Sequence, residues 1–313
     1  PPQLRWHEGS HFRLTLSQAF NSLGTVIAPL IASYVVLRGG VFEGAATAVS
    51  RSATLRNVDT QFLLIAAVIL LLTLFIWRLR RLLHVPQEET FANSSPFAAF
   101  TSRWALFGGL AIFLYVGAEV SIGSIMINFL HTPTIMNVGF SEAGRLLSLY
   151  WGGAMVGRAL GSIVLTRVPA SRLLAFAAAV ALLLCLVVTQ ADGVLTALFG
   201  GVSAGKVAGF AAIAVGFFNS IMFPTIFTLT LERSEAATPS TSGLLCMAIV
   251  GGAILPVITG YAADHVGIAL AFFVPFVSYL CILVFAIAGA RAYLAMQAAG
   301  EDVCSFAAGE PAF

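Results

Sequence analysis

Eight long apolar stretches fill most of this chain, and each is close to the length of a helix that crosses a lipid bilayer. They run at Leu14–Val36, Phe62–Trp77, Trp104–Leu130, Leu146–Val168, Leu173–Thr189, Gly209–Leu231, Leu244–Ala263 and Ile268–Ala290. The second and fifth are short and need snorkelling ends to span. A helix in hydrocarbon satisfies its own backbone hydrogen bonds and can be apolar on every side. Composition agrees: 59% of residues are hydrophobic and 10% are charged, against about 25% charged in a soluble domain. Mean hydropathy is +0.94. The expected fold class is an all-α membrane protein whose main partner is the lipid bilayer.

The polar segments between the stretches divide the chain. Gly39–Thr60 is rich in Ala, Ser, Thr and Arg, and Leu82–Ser102 carries Glu88, Glu89, Asn93, Ser94, Ser95 and Pro96. The second reads as a linker between two bundles. Two spans precede it and six follow, with a tail at Gly300–Phe313 that reads as disordered. The apolar piece Val194–Val202 is too short to cross and is expected as a turn of helix or a re-entrant segment. Arginines cluster at one set of span ends, from Arg5 and Arg13 through Arg78, Arg80, Arg81, Arg103, Arg167, Arg172 and Arg233 to Arg291. The opposite ends hold Arg38, Arg51, Arg56, Arg145 and Lys206. The excess of basic residues marks the cytoplasmic side, which places both ends of the chain there.

An acid inside a span is costly and is by default a functional candidate. Glu119 is such an acid, in Trp104–Leu130, with Tyr115 one turn away on the same face. It suits either hydrogen bonding to a sugar hydroxyl or a structural bond to a neighbouring helix. Ser121, Ser124 and Asn128 lie nearly opposite, and a kink at Gly117 or Gly123 would bring both sets toward one cavity. Gln18 and Asn21, three residues apart, share a face of the first span. Their amides each offer donors and an acceptor, which suits a polyhydroxylated ligand or interhelical bonding. In Phe217–Thr225, Asn219 and Phe223 stand just before and beside Pro224, which removes a backbone donor in mid-span. Broken helices of this kind expose polar groups to a cavity in transporters. Pro29, Pro256 and Pro275 raise the same prospect elsewhere. Gly153, Gly157 and Gly161, four apart, form a smooth stripe for close helix packing. Arg158 beside them is expected to snorkel or to pair with an acid such as Glu232.

Much is excluded. The four cysteines, Cys185, Cys246, Cys281 and Cys304, form no CxxC pair, and the five histidines flank spans, so neither a metal site nor a disulfide framework is expected. No complete P-loop motif is present, the chain is not read as an enzyme and no cofactor is expected. A net charge of +2 without a basic, aromatic-interleaved patch argues against nucleic acid.

Five stretches then resemble one known family: Gly9–Gly24, Tyr115–Ser124, Ser148–Arg158, Phe218–Leu229 and Gly243–Pro256. In order and content they are similar to the bacterial glucose/galactose transporters of the fucose–proton symporter group, in the major facilitator superfamily. The resemblance implies a helical bundle of twelve spans in two halves, of which this chain holds eight, numbers five to twelve. Residues 1–81 would then be the remainder of the N-terminal half, 82–103 the cytoplasmic linker, 104–295 the complete C-terminal half and 296–313 a cytoplasmic tail. Arg167 and Arg172 fit the superfamily's cytoplasmic loop motif, whose acid and glycine are missing here. The family holds its sugar in a cavity lined by spans one, four, seven and ten, helped by span five. Gln18 and Asn21 match the span-five amides, and Glu119 falls where the fucose symporters carry an amide. Asn128, Asn219, Tyr115 and Phe223 complete the expected binding set for a monosaccharide. The family's proton-coupling acids lie in spans one and four, which this sequence does not hold. The implied activity of the intact parent is hexose uptake with a proton as coupling ion, in a bacterial inner membrane, by a monomer. A carrier of another substrate, such as a drug exporter, and a truncated, non-transporting remnant are the alternatives.

Overall fold

The computed structural model describes residues 23–31, 48–80, 95, 97–191 and 193–298. Every regular element among them is helical. Residues 23–31 form a helical segment. Ten helices follow: α1 Ala48–Leu79, α2 Arg103–His131, α3 Phe140–Leu165, α4 Ala170–Thr189, α5 Val194–Phe199, α6 Gly201–Asn219, α7 Met222–Leu231, α8 Thr238–Ala248, α9 Gly251–Val266 and α10 Phe273–Ala298. Six stretches among the described residues are long and apolar enough to cross a membrane: Phe62–Leu79, Arg103–His131, Ala170–Thr189, Ser203–Leu231, Thr238–Val266 and Leu270–Arg291. Helix α3, with 26 residues, matches them in length; Arg158 and its glycines dilute its apolar run. Of the expected first span, only 23–31 lies within the described residues.

Helix α1 is 32 residues long, about 48 Å at 1.5 Å per residue. From Phe62 to Trp77 its large apolar side chains stand exposed, as suits a rod facing lipid or helices outside the described residues. The remaining helices make one bundle. Helix α2 runs through it and packs on α3, α7, α8, α9 and α10, while α4 packs on α6 and α10. Ser102 caps α2, its Oγ accepting the Ala105 N–H at 3.3 Å, as an N-cap serine does. Ile112, Ile122, Met126, Phe129, Leu174, Phe272 and Phe285 fill the interior. The Phe129 and Phe272 ring centroids lie 4.9 Å apart.

Two crossings are interrupted. α6 ends at Asn219 and α7 begins at Met222, the break that Pro224 led us to expect. Thr225 Oγ1 then donates to the Ile221 carbonyl at 2.6 Å, beside the Thr225 amide, and Thr228 Oγ1 to the Pro224 carbonyl at 2.8 Å, so hydroxyls add to the backbone bonds of the restarting helix. Between α8 and α9 the chain tightens: Ile249 and Val250 donate three residues back, to Cys246 and Met247. Pro256, by contrast, sits inside an uninterrupted α9. The segment Val194–Phe199 is a separate six-residue helix that does not cross. It is divided from α6 by Gly200, whose φ of +79° belongs to glycine's permitted region.

The kink considered at Gly117 or Gly123 does not form, because α2 is one helix from Arg103 to His131. Gly117 instead lets α9 approach, where an added Cβ would lie 2.8 Å from Leu255 and 2.9 Å from the Gly251 carbonyl. The stripe Gly153–Gly157–Gly161 seats α3 on the interrupted crossing. A Cβ on Gly157 would collide with the Phe217 carbonyl and Ser220 Oγ, and one on Gly161 with Ile221. Gly157→Ala is therefore expected to destabilise the protein by about 1–3 kcal/mol through overpacking. Gly152→Ala, whose Cβ meets nothing within 4 Å, should be neutral. Thermal melts of the detergent-solubilised protein compare the two.

Candidate functional site

Polar side chains have no water to turn to within a membrane bundle, so they gather where they satisfy one another. Here they gather around the α6–α7 break. α2 contributes Tyr115 and Glu119, α3 contributes Tyr150 and Arg158, α6 contributes Asn219, and α10 contributes Tyr279. Helical spacing makes this convergence possible. Tyr115 and Glu119 are four apart on α2, and Tyr150 and Arg158 are eight apart on α3, so each pair shares a face.

Arg158 and Glu119 form an ion pair, with Nη2 3.8 Å from Oε1 and side chains only 9% and 12% exposed. The other end of the guanidinium turns to the break: Arg158 Nε donates to the Ser220 carbonyl at 3.1 Å. Tyr150 ties the same three helices together. Its hydroxyl donates to the Glu119 carbonyl at 3.2 Å and accepts from Asn219 Nδ2 at 3.0 Å. The Tyr115 ring stands 6.3 Å from Phe223, centroid to centroid, and Phe223 stacks on Phe227 at 5.9 Å. The Tyr279 hydroxyl approaches Asn219 and Tyr150 without a well-formed hydrogen bond. Four buried oxygens of this group, Tyr115 Oη, Glu119 Oε1, Asn219 Oδ1 and Tyr279 Oη, make no well-formed hydrogen bond among the described residues, although Glu119 Oε1 faces the guanidinium. A cluster with spare acceptors and hydroxyls, bounded by the Phe223 ring, can bind a neutral polyhydroxylated ligand or organise water.

Of the residues singled out from sequence, the fold brings Tyr115, Glu119, Asn219 and Phe223 together. Asn128 does not join them. It lies nine residues beyond Glu119, about 14 Å along the helix, on the exposed face of α2 that also carries Ser124. Gln18 and Asn21 lie outside the described residues. Arg158 neither snorkels nor stays at the rim; it is 8% exposed, and its acid is Glu119 of α2, in place of the Glu232 considered above. Sequence reasoning missed Tyr150 and Tyr279 altogether. A legible signal existed for the ion pair: Arg158 and Glu119 are the charges that lie deep in spans, and opposite charges in hydrocarbon seek each other. Tyr150 shares the Arg158 face, a weaker hint. Tyr279 gave none. Among the described residues no group of His, Cys, Asp and Glu is arranged to hold a metal.

No family profile matches the chain, but individual proteins do. It is 39% identical over 279 residues to the glucose/galactose transporter of Brucella abortus, an alignment covering 89% of this chain and 63% of that protein. It is 29% identical over 300 residues to the L-fucose-proton symporter of Escherichia coli K12, covering 88% and 64%. The chain thus spans less than two thirds of the length of these curated relatives. Its structure superposes on the crystal structure of FucP, a major facilitator superfamily transporter in the outward conformation, with a TM-score of 0.65 and 25% identity. That match covers 90% of this chain and 68% of the other. The described helices therefore make a multi-pass membrane bundle with the major facilitator superfamily fold. Within that superfamily the chain is similar to the glucose/galactose transporters and to the fucose–proton symporter.

Removing one partner of a buried ion pair costs about 3–5 kcal/mol, so Arg158→Gln and Glu119→Gln should each lower the melting temperature, and the double variant should lower it less than their sum. The singles should differ in pH dependence. In Arg158→Gln the abandoned carboxylate can be neutralised by a proton, so its deficit should shrink as pH falls. In Glu119→Gln the guanidinium cannot give up its proton, so its deficit should persist. Melts at several pH values check both.

Proposed function

We propose that the full-length protein takes up a hexose of the glucose/galactose type by proton symport, through alternating access of two helical halves about a midplane site. The observation that carries this reading is the buried hydrogen-bonding cluster at a broken helix, in a chain whose relatives carry sugars. Residues 104–295 supply the C-terminal half, residues 1–81 a part of the N-terminal half, and 82–103 the cytoplasmic linker. The protein works as a monomer in a bacterial inner membrane, with both ends of this chain in the cytoplasm.

In this reading the sugar binds beside the α6–α7 break. Glu119 and Asn219 hydrogen-bond its hydroxyls, and Phe223 with Tyr115 packs on the apolar face of the ring. Hydrogen bonds to a charged acceptor are worth about 1.5–3 kcal/mol, so the carboxylate is the strongest single handle in the half. Gln18 and Asn21 face the sugar from the N-terminal half. The exposed face of α2 with Ser124 and Asn128 supports a cavity between the halves. An exposed amide on an otherwise apolar transmembrane helix is costly against lipid and at ease against water. A proton is the coupling ion, and the acids that bind it reside in spans outside this sequence. No cofactor takes part.

The test is uptake of labelled glucose and galactose by vesicles holding the full-length protein. An inwardly directed proton gradient should drive accumulation and an uncoupler should abolish it. Glu119→Ala and Gln18→Ala should each reduce uptake at low sugar by about tenfold or more, the scale of one lost charge-assisted or well-formed hydrogen bond. Full uptake in both variants refutes the site assignment.

A further inference from the structure

Pro224 has no N–H for the carbonyl of Ser220, and its ring pushes that carbonyl away from the helix axis. A backbone carbonyl without a donor in mid-membrane costs several kcal/mol. The donor that meets it comes from another helix, as Arg158 Nε at 3.1 Å. The neighbouring glycine makes this reach possible. Gly157 brings α3 so close that a Cβ there would touch the Phe217 carbonyl and Ser220 Oγ, which lets the near nitrogen of the guanidinium arrive at the break. Glu119 then holds the far nitrogen at 3.8 Å, so the guanidinium is fixed at both ends.

From this geometry we infer that Arg158 is a positioning residue: it supplies to Ser220 the hydrogen bond that Pro224 withholds, and so sets the orientation in which Asn219 and Phe223 face the substrate. It acts through the backbone of the break and touches no substrate. The inference extends the sugar-uptake reading and depends on it only for its kinetic readout.

The decisive comparison uses Pro224→Ala, which restores a backbone N–H for Ser220. In the full-length protein, Arg158→Gln should raise the KM for hexose about tenfold or more, the scale of a lost charge-assisted hydrogen bond, with a smaller change in kcat. In the Pro224→Ala background the same substitution should raise KM at least about threefold less, because the two residues address one carbonyl and their effects do not add. Arg158→Lys guards against misfolding, since it keeps the charge facing Glu119. Its single ammonium cannot serve both ends, so KM should rise about threefold or more with little change in melting temperature. Hydrogen exchange at the amides of residues 219–226 reads the break without any sugar: faster by about tenfold in Arg158→Gln, and largely protected again with Pro224→Ala added. Equal effects of Arg158→Gln in the two backgrounds, by KM and by exchange, overturn the inference, as does a Lys variant with the original KM. Should the unmodified protein take up no hexose, the uptake reading fails and the exchange comparison alone decides the role of Arg158.

Discussion

A carbonyl that loses its helical donor in hydrocarbon must find another, and in this bundle that single requirement organises the interior. Pro224 creates the deficit at Ser220, and Arg158 meets it. A guanidinium cannot sit in that place alone, so an acid has to face it, and Glu119 does. An acid drawn in for that purpose brings its helix with it. Tyr150 then bridges the Glu119 carbonyl to the Asn219 amide, closing a loop through α2, α3 and α6. Proline, arginine, acid and tyrosine are thus successive consequences of one interruption, and the interruption is where a transporter needs polar groups.

Close packing decides which of these groups can meet. Water is not there to fill gaps, and lipid tails are as apolar as leucine, so helices associate through shape. Small residues mark each approach. Gly157 and Gly161 face the break, Gly216 faces the Tyr150 carbonyl, and Gly251 faces the Phe113 carbonyl. Shifting α3 outward by the width of a methyl group would carry Arg158 Nε beyond hydrogen-bonding distance of Ser220. The glycine stripe and the polar cluster are therefore one feature seen from two sides. The first sets the spacing and the second uses it.

The sequence reveals these two features unequally. Apolar length alone located the six long apolar crossings from Phe62 onward, α3 not being one of them, because a membrane span is a one-dimensional property. The break before Pro224 and the close face of Gly153, Gly157 and Gly161 were also legible, since each follows from local backbone chemistry. Helix ends were less so: the expected Leu146–Val168 begins at Phe140 in the structure, where polar residues continue the helix past the apolar run. Contacts between helices were the hardest. Tyr150 and Tyr279 look like ordinary aromatic residues in a greasy stretch, and only the fold puts their hydroxyls beside Asn219. The proposed kink in α2 failed for a related reason. Gly117 and Gly123 serve neighbours, Leu255 and Trp151, and a glycine at a contact reads the same in sequence as a glycine at a bend.

The two sides of α2 make different demands on their surroundings. Tyr115 and Glu119 turn into the bundle from one face and Ser121 from nearly the opposite one, while Ser124 and Asn128 are exposed. Ser124 bonds its own helix, through the Val120 carbonyl at 2.7 Å, and can tolerate an apolar neighbour. Asn128 has a full amide to satisfy, and a lipid-facing position offers it nothing. The second half proposed above, lying across this face, would resolve the conflict by enclosing water or substrate against the amide and covering the apolar residues around it. The same reasoning applies to α1, exposed from Phe62 to Trp77 without a polar side, which is stable only among lipids or other helices. One face of the bundle asks for hydrocarbon and another for an aqueous cavity, and a protein of two halves around a central site provides both.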